Sequence, residues 1–482
     1  MNYRMIARLL ALILLLVAAF MTPAFTISLA LGERASALGF LATMGLMILI
    51  SLALRVRKPL KMTLYAREGF VVVSLAWIAV SLLGALPFFF SGAIPSYVDC
   101  LFETVSGFTT TGASILTDVE ALPQGLLYWR SFTHWIGGMG VLVFLLAIAR
   151  LASGDGIFII RAESPGPQVN KLVPKTRQTA RILYEIYIAL TVLQIVLLLL
   201  GDMPLMEALT TAFGTAGTGG FAMRNDSMAS YSPYIQWVVT IFMALFGVNF
   251  SLYYLLLMRM FKKAAKNEEF RLYTGILLVS TAVITLYILG QYPTLGDAVR
   301  HAAFQVVSVM TTTGFATADF DKWPEFCRAL LVLLMIVGAS AGSTGGGVKV
   351  SRVLILFKSL KQELKRILHP NTVSVIRMDG EIISRETVRS TFVFFSLYSV
   401  ISLFSILFVS MDGFSLETSM SAVMACINNI GPGLHLVGPT GNYSQFSDAS
   451  KGILSLNMLI GRLEIFPLVV MCFPGIWKRA RH

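Results

Sequence analysis

The chain has 482 residues, 56% hydrophobic and only 13% charged; an average soluble domain carries about a quarter charged residues, so an ordinary water-soluble globular protein is excluded. The formal net charge is +12. That excess would suit nucleic acid, but it is dispersed in short loops between long apolar runs, so no nucleic-acid partner is expected.

Apolar runs of about twenty residues recur from end to end, enough for helices to cross a hydrocarbon core about 30 Å thick. The first two, Leu9–Ala30 and Ala37–Leu54, are joined by a short turn and form an N-terminal helix pair, residues 1–66. The first run is of spanning length with no small-residue cleavage motif after it, so a secretory signal peptide is not expected.

Four modules of one plan follow: a span, a half-length amphipathic segment, a short glycine segment and a second span. Module one, 67–152, uses Val71–Phe90, a short helix at Tyr97–Phe108 and a return at Trp135–Ile148. Module two, 179–266, uses Ile182–Leu200, Leu205–Phe213 and Ile235–Leu257. Module three, 267–357, uses Tyr273–Leu289, Asp297–Met310 and Leu330–Phe357. Module four, 390–482, uses Thr391–Val409, Leu416–Ile427 and Ile453–Ile476. The glycine segments centre on Gly112, Gly220, Gly314 and Gly431, at intervals of 108, 94 and 117 residues. Internal repetition constrains the whole fold. The expected fold class is an all-α polytopic membrane protein: two N-terminal spans, then four parallel repeats around a pseudo-fourfold pore, ten spans in all.

Basic residues cluster at Arg55/Arg57/Lys58/Lys61/Arg67, Lys171/Lys175/Arg177/Arg181, Lys262/Lys263/Lys266/Arg271, Lys358/Lys361/Lys365/Arg366 and Lys478/Arg479/Arg481. The glycine segments lie between them, with Asp99, Glu103, Asp118, Glu120, Asp202, Asp297 and Asp319 nearby. The positive-inside rule puts the clusters and both termini in the cytoplasm and opens the glycine segments outward. Two connectors, 153–178 and 358–389, read equally well as solvated linkers or as docking surfaces for a cytoplasmic partner. Cys100, Cys327, Cys426 and Cys472 are scattered, with no metal-ligand spacing, and read as packing residues.

A dehydrated cation in a membrane needs oxygens in place of its lost water, and rings of backbone carbonyls supply them. Glycine allows the crowded backbone this requires. Non-helical chain at membrane depth is tolerated only where it lines a wet path or is buried in protein. Each short helix would point the negative end of its dipole at the path, with Asp99, Glu207, Asp297 and Glu417 at the favourable opposite ends. Thr109–Thr111 and Thr311–Thr313 add hydroxyls. The expected ion-binding residues are therefore Thr110, Thr111 and Gly112; Thr218, Gly219 and Gly220; Thr312, Thr313 and Gly314; and Asn429, Ile430 and Gly431. Close helix packing is the competing reading of any one such segment; four at matched positions favour the ion path.

Module three's return is interrupted by Gly338, Ala339, Ser340, Ala341, Gly342, Ser343, Thr344, Gly345, Gly346 and Gly347, which read as a loop lining the path inside the glycine segments. A phosphate loop needs lysine directly after its last glycine; here Val348 intervenes before Lys349, so no nucleotide is expected on this chain. Arg462 lies within the last span, with Glu464 two residues on and therefore on another face. It is expected to face the path near the loop, where its charge opposes a cation. Lys349 either extends that barrier or marks the cytoplasmic half of the span. His134 reads as a structural histidine rather than a proton relay, and His301, His369, His435 and His482 make no metal pattern. No HExxH or Ser/His/Asp set marks an intramembrane enzyme. A coupled secondary transporter remains the alternative, although such proteins usually show inverted rather than parallel repeats.

On Arg130–Gly140, Ser106–Ala113, Gly217–Phe221, Thr311–Ala316 and Asn428–Gly433, and along essentially its full length, the chain resembles the TrkH/KtrB/HKT superfamily of potassium-transporting subunits. The extra N-terminal pair and the length resemble the bacterial TrkH branch. The resemblance implies potassium at the four glycine segments, with rubidium as a surrogate, and an intramembrane loop acting as a gate beneath them. It also implies a homodimer in the bacterial inner membrane and a cytoplasmic nucleotide-sensing TrkA-type regulatory subunit. Module four departs from the threonine pattern with Asn429 and Ile430, a substitution itself similar to TrkH relatives.

Overall fold

The structure, a computed structural model, describes residues 1–56, 66–151, 176–370 and 375–477. Arg57, Lys58, Lys61, Lys171, Lys175, Lys478, Arg479, Arg481 and nearly all of the 153–178 connector lie outside the described residues.

Among the described residues the regular structure is helical, apart from a two-residue-per-strand hairpin, β1 (Arg377–Met378) against β2 (Glu381–Ile382). Helices α1 (Tyr3–Ala30) and α2 (Arg34–Arg55) form the N-terminal pair. The first module contains α3 (Ala66–Gly84), α4 (Tyr97–Phe108) and α5 (Gln124–Leu151). The second contains α6 (Thr176–Leu200), α7 (Leu205–Gly217), α8 (Pro233–Phe246) and α9 (Phe250–Leu257). The third contains α10 (Glu268–Ile288), α11 (Leu295–Met310), α12 (Glu325–Val337) and α13 (Val350–Leu368). The fourth contains α14 (Arg385–Val409), α15 (Leu416–Ile427), α16 (Asp448–Arg462) and α17 (Phe466–Cys472). Short turns of helix lie at Leu86–Phe90, Phe261–Ala265 and Pro474–Trp477, and 3-10 turns at Leu289–Gln291, Phe320–Lys322, Ser410–Asp412 and His435–Val437.

Six helices are long and apolar enough to cross a membrane, and two bent pairs raise this to eight. The other two expected spans fall on α5 and on α12 with α13, which a loop separates. Outward apolar side chains such as Leu49, Leu52, Leu403, Phe404 and Leu407 are exposed in a row along α2 and α14, as a lipid-facing surface requires. The chain is a multi-pass helical membrane protein.

The short helices α4, α7, α11 and α15 form for local reasons. Ser96, Thr294 and Ser415 cap three of them, each hydroxyl accepting a backbone N–H of the first turn. Asp99, Glu207, Asp297 and Glu417 sit in the four first turns, where the helix dipole favours a carboxylate. Helix α7 runs on to Gly217, four residues past its expected end at Phe213.

Two expected straight returns are broken. Helices α8 and α9 meet at 90°, and α16 and α17 at 117°. At the first break, Gly247 O and Phe250 N leave the helix ladder and are taken up by the loop after α12: Ser340 N donates to Gly247 O (3.1 Å) and Phe250 N donates to Gly342 O (3.1 Å). At the second, Glu464 and Ile465 take left-handed φ of 54° and 68°. Glu464 N returns to Gly461 O and Ile465 N to Ile460 O, the paired bonds of a Schellman end.

The basic run expected in the 358–389 connector continues α13 to Leu368, and the hairpin docks on α10. Asp379 accepts Glu268 N (2.8 Å) and Asn267 Nδ2 (2.7 Å), which anchors the described hairpin of this connector to the start of α10. Cys100, Cys327 and Cys426 are buried as expected of packing residues, whereas Cys472 is exposed.

Candidate functional site

Each short helix ends in the same motif. Thr110, Thr218, Thr312 and Asn429 have φ of 55°, 56°, 59° and 56°. Their N–H groups bond three residues back, and those of Thr111, Gly219, Thr313 and Ile430 five residues back, at 2.8–3.2 Å. This is a Schellman end, usually built on glycine. Threonine there is costly, about 1–3 kcal/mol for a non-glycine residue held left-handed. Asn429 tolerates the conformation better, because its short polar side chain bonds locally. Its Nδ2 donates to Thr111 Oγ1 (2.9 Å) and Met458 O (2.9 Å), tying the fourth segment to the first.

The segments close a ring. Gly112, Gly220, Gly314 and Gly431 all have positive φ, from 74° to 93°. A Cβ on Gly112 would stand 2.0 Å from Gly219 O, one on Gly220 2.1 Å from Thr313 O, and one on Gly314 2.0 Å from Ile430 O. On Gly431 it would stand 2.7 Å from Thr111 O. The contacts thus run one to two, two to three, three to four and four back to one. Gly431 O accepts the Tyr443 hydroxyl at 2.8 Å. Among the described residues, the carbonyls of Thr110–Gly112, Thr218–Gly220, Thr312–Gly314, Asn429 and Ile430 accept no protein hydrogen bond. Thr110 Oγ1 is also buried without a protein partner. Buried backbone acceptors are normally paired, so this many unpaired oxygens together are unusual.

Beneath the ring lies the loop of Gly338–Lys349, two residues longer than its expected end at Gly347. It starts at Gly338 with φ 71° and ψ −166°, a region open essentially only to glycine. Gly346 N donates to Thr312 Oγ1 (2.6 Å) and Gly347 N to Asn428 O (3.0 Å). A Cβ on Gly345 would approach Thr311 O to 2.8 Å, and one on Gly346 would meet Asn428 O at 2.3 Å. The glycine triplet therefore packs directly under the third and fourth segments. Lys349 Nζ donates back to Gly345 O within the loop.

Arg462 clamps this loop. Its guanidinium donates to Thr344 O (2.7 Å) and to Gly137 O of α5 (2.5 Å). Glu464 turns away to Arg352 (2.5 Å), whose guanidinium lies 3.9 Å over the Phe394 ring. That pairing was not legible in the sequence. Nor was the role of Glu269, whose buried carboxylate accepts Ala341 N (2.6 Å) and Ser351 N (3.2 Å), holding both ends of the loop to α10.

A polar layer backs the ring. Glu103 and Arg130 form a buried pair at 2.6 Å. Glu103 also accepts Ser114 Oγ and Ile115 N, and Arg130 also reaches Ala222 O (3.1 Å). Lys451 pairs with Asp99 at 2.6 Å. At the N-terminal end of α11, the Thr294 hydroxyl and then Arg300 hold Asp297 below the usual carboxylate range. His134 is fully buried between α4 and the second segment, as a structural histidine is. No group of three or more His, Cys, Asp or Glu able to hold a metal occurs among the described residues.

Residues 36–477 match the family model TrkH, described as a cation transport protein. The Trk system potassium uptake protein TrkH of Salmonella typhimurium is 38% identical over 421 residues, covering 86% of this chain and 87% of that one. Its namesake in Halomonas elongata is 33% identical over 491 residues, covering 99% and 100%. The crystal structure of the potassium transporter TrkH from Vibrio parahaemolyticus superposes with a TM-score of 0.88 at 32% identity, covering 99% and 100%. With a ring of free carbonyls at the ends of four short helices, and a family match across most of its length, the chain belongs to the TrkH family of cation transport proteins.

Proposed function

We propose that this chain carries potassium into the cell across the bacterial cytoplasmic membrane. The path runs through the ring of Gly112, Gly220, Gly314 and Gly431, and the Gly338–Lys349 loop is its gate. The observation that carries this reading is the closed ring of backbone carbonyls that accept no hydrogen bond among the described residues. Such oxygens replace a cation's water shell. Four helix C-termini converge there and add negative potential. The names of the relatives select potassium among cations. Inward flow is driven by the membrane potential, about 2.3 kcal/mol per charge per 100 mV. Arg462 and Lys349 hold the loop beneath the ring and oppose a cation there.

The same reading takes residues 67–152, 179–266, 267–357 and 390–482 as the four repeats. Both termini are cytoplasmic, on the side of the described basic residues Lys262, Lys263, Lys361 and Lys365. The chain works in lipid as a homodimer. The relatives' designation as members of a Trk system supports a multi-component assembly, in which a TrkA-type cytoplasmic subunit supplies nucleotide sensing. The reading places no nucleotide at the glycine loop, which lacks the P-loop pattern and whose Gly346 and Gly347 amides bond to Thr312 Oγ1 and Asn428 O.

The test is rubidium uptake by liposomes holding only this protein, under an imposed inside-negative potential. Uptake without a proton or sodium gradient, blocked by potassium and not by sodium, is expected. Uptake that requires either gradient would overturn the conductive reading in favour of a coupled transporter.

A further inference from the structure

The second glycine segment differs from the other three. At the position after the left-handed residue stand Thr111, Thr313 and Ile430, but in module two Gly219. Thr111 and Thr313 each share a hydroxyl hydrogen bond with the threonine two residues earlier, at 2.8 Å. Gly217 and Gly219 offer no such pair. The space is filled from another module: a Cβ on Gly219 would lie 2.3 Å from both Cγ and Nδ1 of His134. Phe221 N donates to His134 Nε2 (3.2 Å), so Nε2 is an acceptor. Nδ1, 2.8 Å from Gly107 O, must then carry the proton. The ring packs against Phe221, tilted by 34°, at a centroid distance of 4.2 Å. One turn earlier on α5, Arg130 covers Phe221 at 3.5 Å and donates to Ala222 O.

We infer that His134 serves as the missing side chain of the second segment, a positioning residue for selectivity between potassium and sodium. The neutral ring fixes the chain leaving Gly220 against the end of α4, and so sets the distance between the first and second segments. The inference rests on the proposed reading of the ring as the potassium filter.

The experiment uses the full chain in liposomes, with rubidium uptake competed by potassium or by sodium, and a melting curve for each variant. His134→Asn keeps a donor for Gly107 O but cannot reach Phe221 N. It is expected to fold and to lose about tenfold in potassium-over-sodium discrimination, the scale of one buried donor left unpaired. His134→Gln restores an acceptor at the Nε2 position and recovers discrimination to within about threefold. Gly219→Ala, which forces a methyl into the intact ring, reproduces the loss and stands in should His134→Asn not fold. Wild-type discrimination in His134→Asn or Gly219→Ala overturns the inference, as does a loss in His134→Gln equal to that in His134→Asn. Absent discrimination in the unmodified protein would instead overturn the proposed function.

Discussion

Replacing Gly314 by serine is expected to reduce potassium-over-sodium discrimination in liposome uptake by at least about tenfold, the scale of 1.4 kcal/mol or more. At φ 85° a side chain is already strained, and its Cβ would fall 2.0 Å from Ile430 O, well inside contact. That carbonyl belongs to the ring, so it must move and the cage for the ion deforms. Pro432 Cδ, 2.9 Å away, closes the other route of escape. Gly112 and Gly220 face the same obstruction, at 2.0 and 2.1 Å. Gly431 has its nearest neighbour at 2.7 Å, so Gly431→Ser is expected to be the mildest of the four. Equal damage from all four, or none from Gly314→Ser, would contradict the ring geometry.

The second large effect is expected at Arg462. Its donations to Thr344 O and Gly137 O bridge the loop of module three to the return helix of module one. Hydrogen bonds from a charged group contribute about 1.5–3 kcal/mol each. Losing even one shifts a closed-to-open equilibrium by about tenfold or more. Arg462→Ala also removes a positive charge from beneath the ring. Rubidium uptake at fixed voltage is therefore expected to rise about tenfold in liposomes without any cytoplasmic partner. Arg462→Lys keeps the charge but lacks the fork that spans two carbonyls, and should fall between the two. Lower uptake in Arg462→Ala would show that this side chain supports the path rather than closing it.

Much of this arrangement was legible in the sequence because it is written locally. A carboxylate stands in the first turn of each short helix, a glycine follows two residues after the left-handed residue that ends it, and this order recurs four times. Arg462 stood out because a charge inside a span demands a reason. What escaped depends on partners distant in sequence. The bend at Gly247–Asn249 lies within an apolar run whose hydropathy reads as one span; it exists because a loop ninety-odd residues later takes up the freed backbone groups. The bend at Glu464–Ile465 puts no glycine in its two left-handed positions and is announced locally only by Pro467, at the start of the next helix, while Glu464 is directed by Arg352, 112 residues away. Glu269 carries no local signal that sets it apart, yet its carboxylate holds the loop. His134 was legible as structural, but its place behind Gly219 follows only from the closure of the ring. Membership in a family of cation transport proteins also places the chain outside the enzymes, in line with its lack of a catalytic motif.

The most direct measurement of the central claim is anomalous diffraction from crystals of this protein grown in rubidium. The account predicts rubidium peaks on the axis enclosed by Thr110–Gly112, Thr218–Gly220, Thr312–Gly314 and Asn429–Gly431, within coordination distance of their carbonyl oxygens, and displaced by excess potassium but not by sodium. Rubidium bound elsewhere along the helices, with no peak inside that ring, would contradict it.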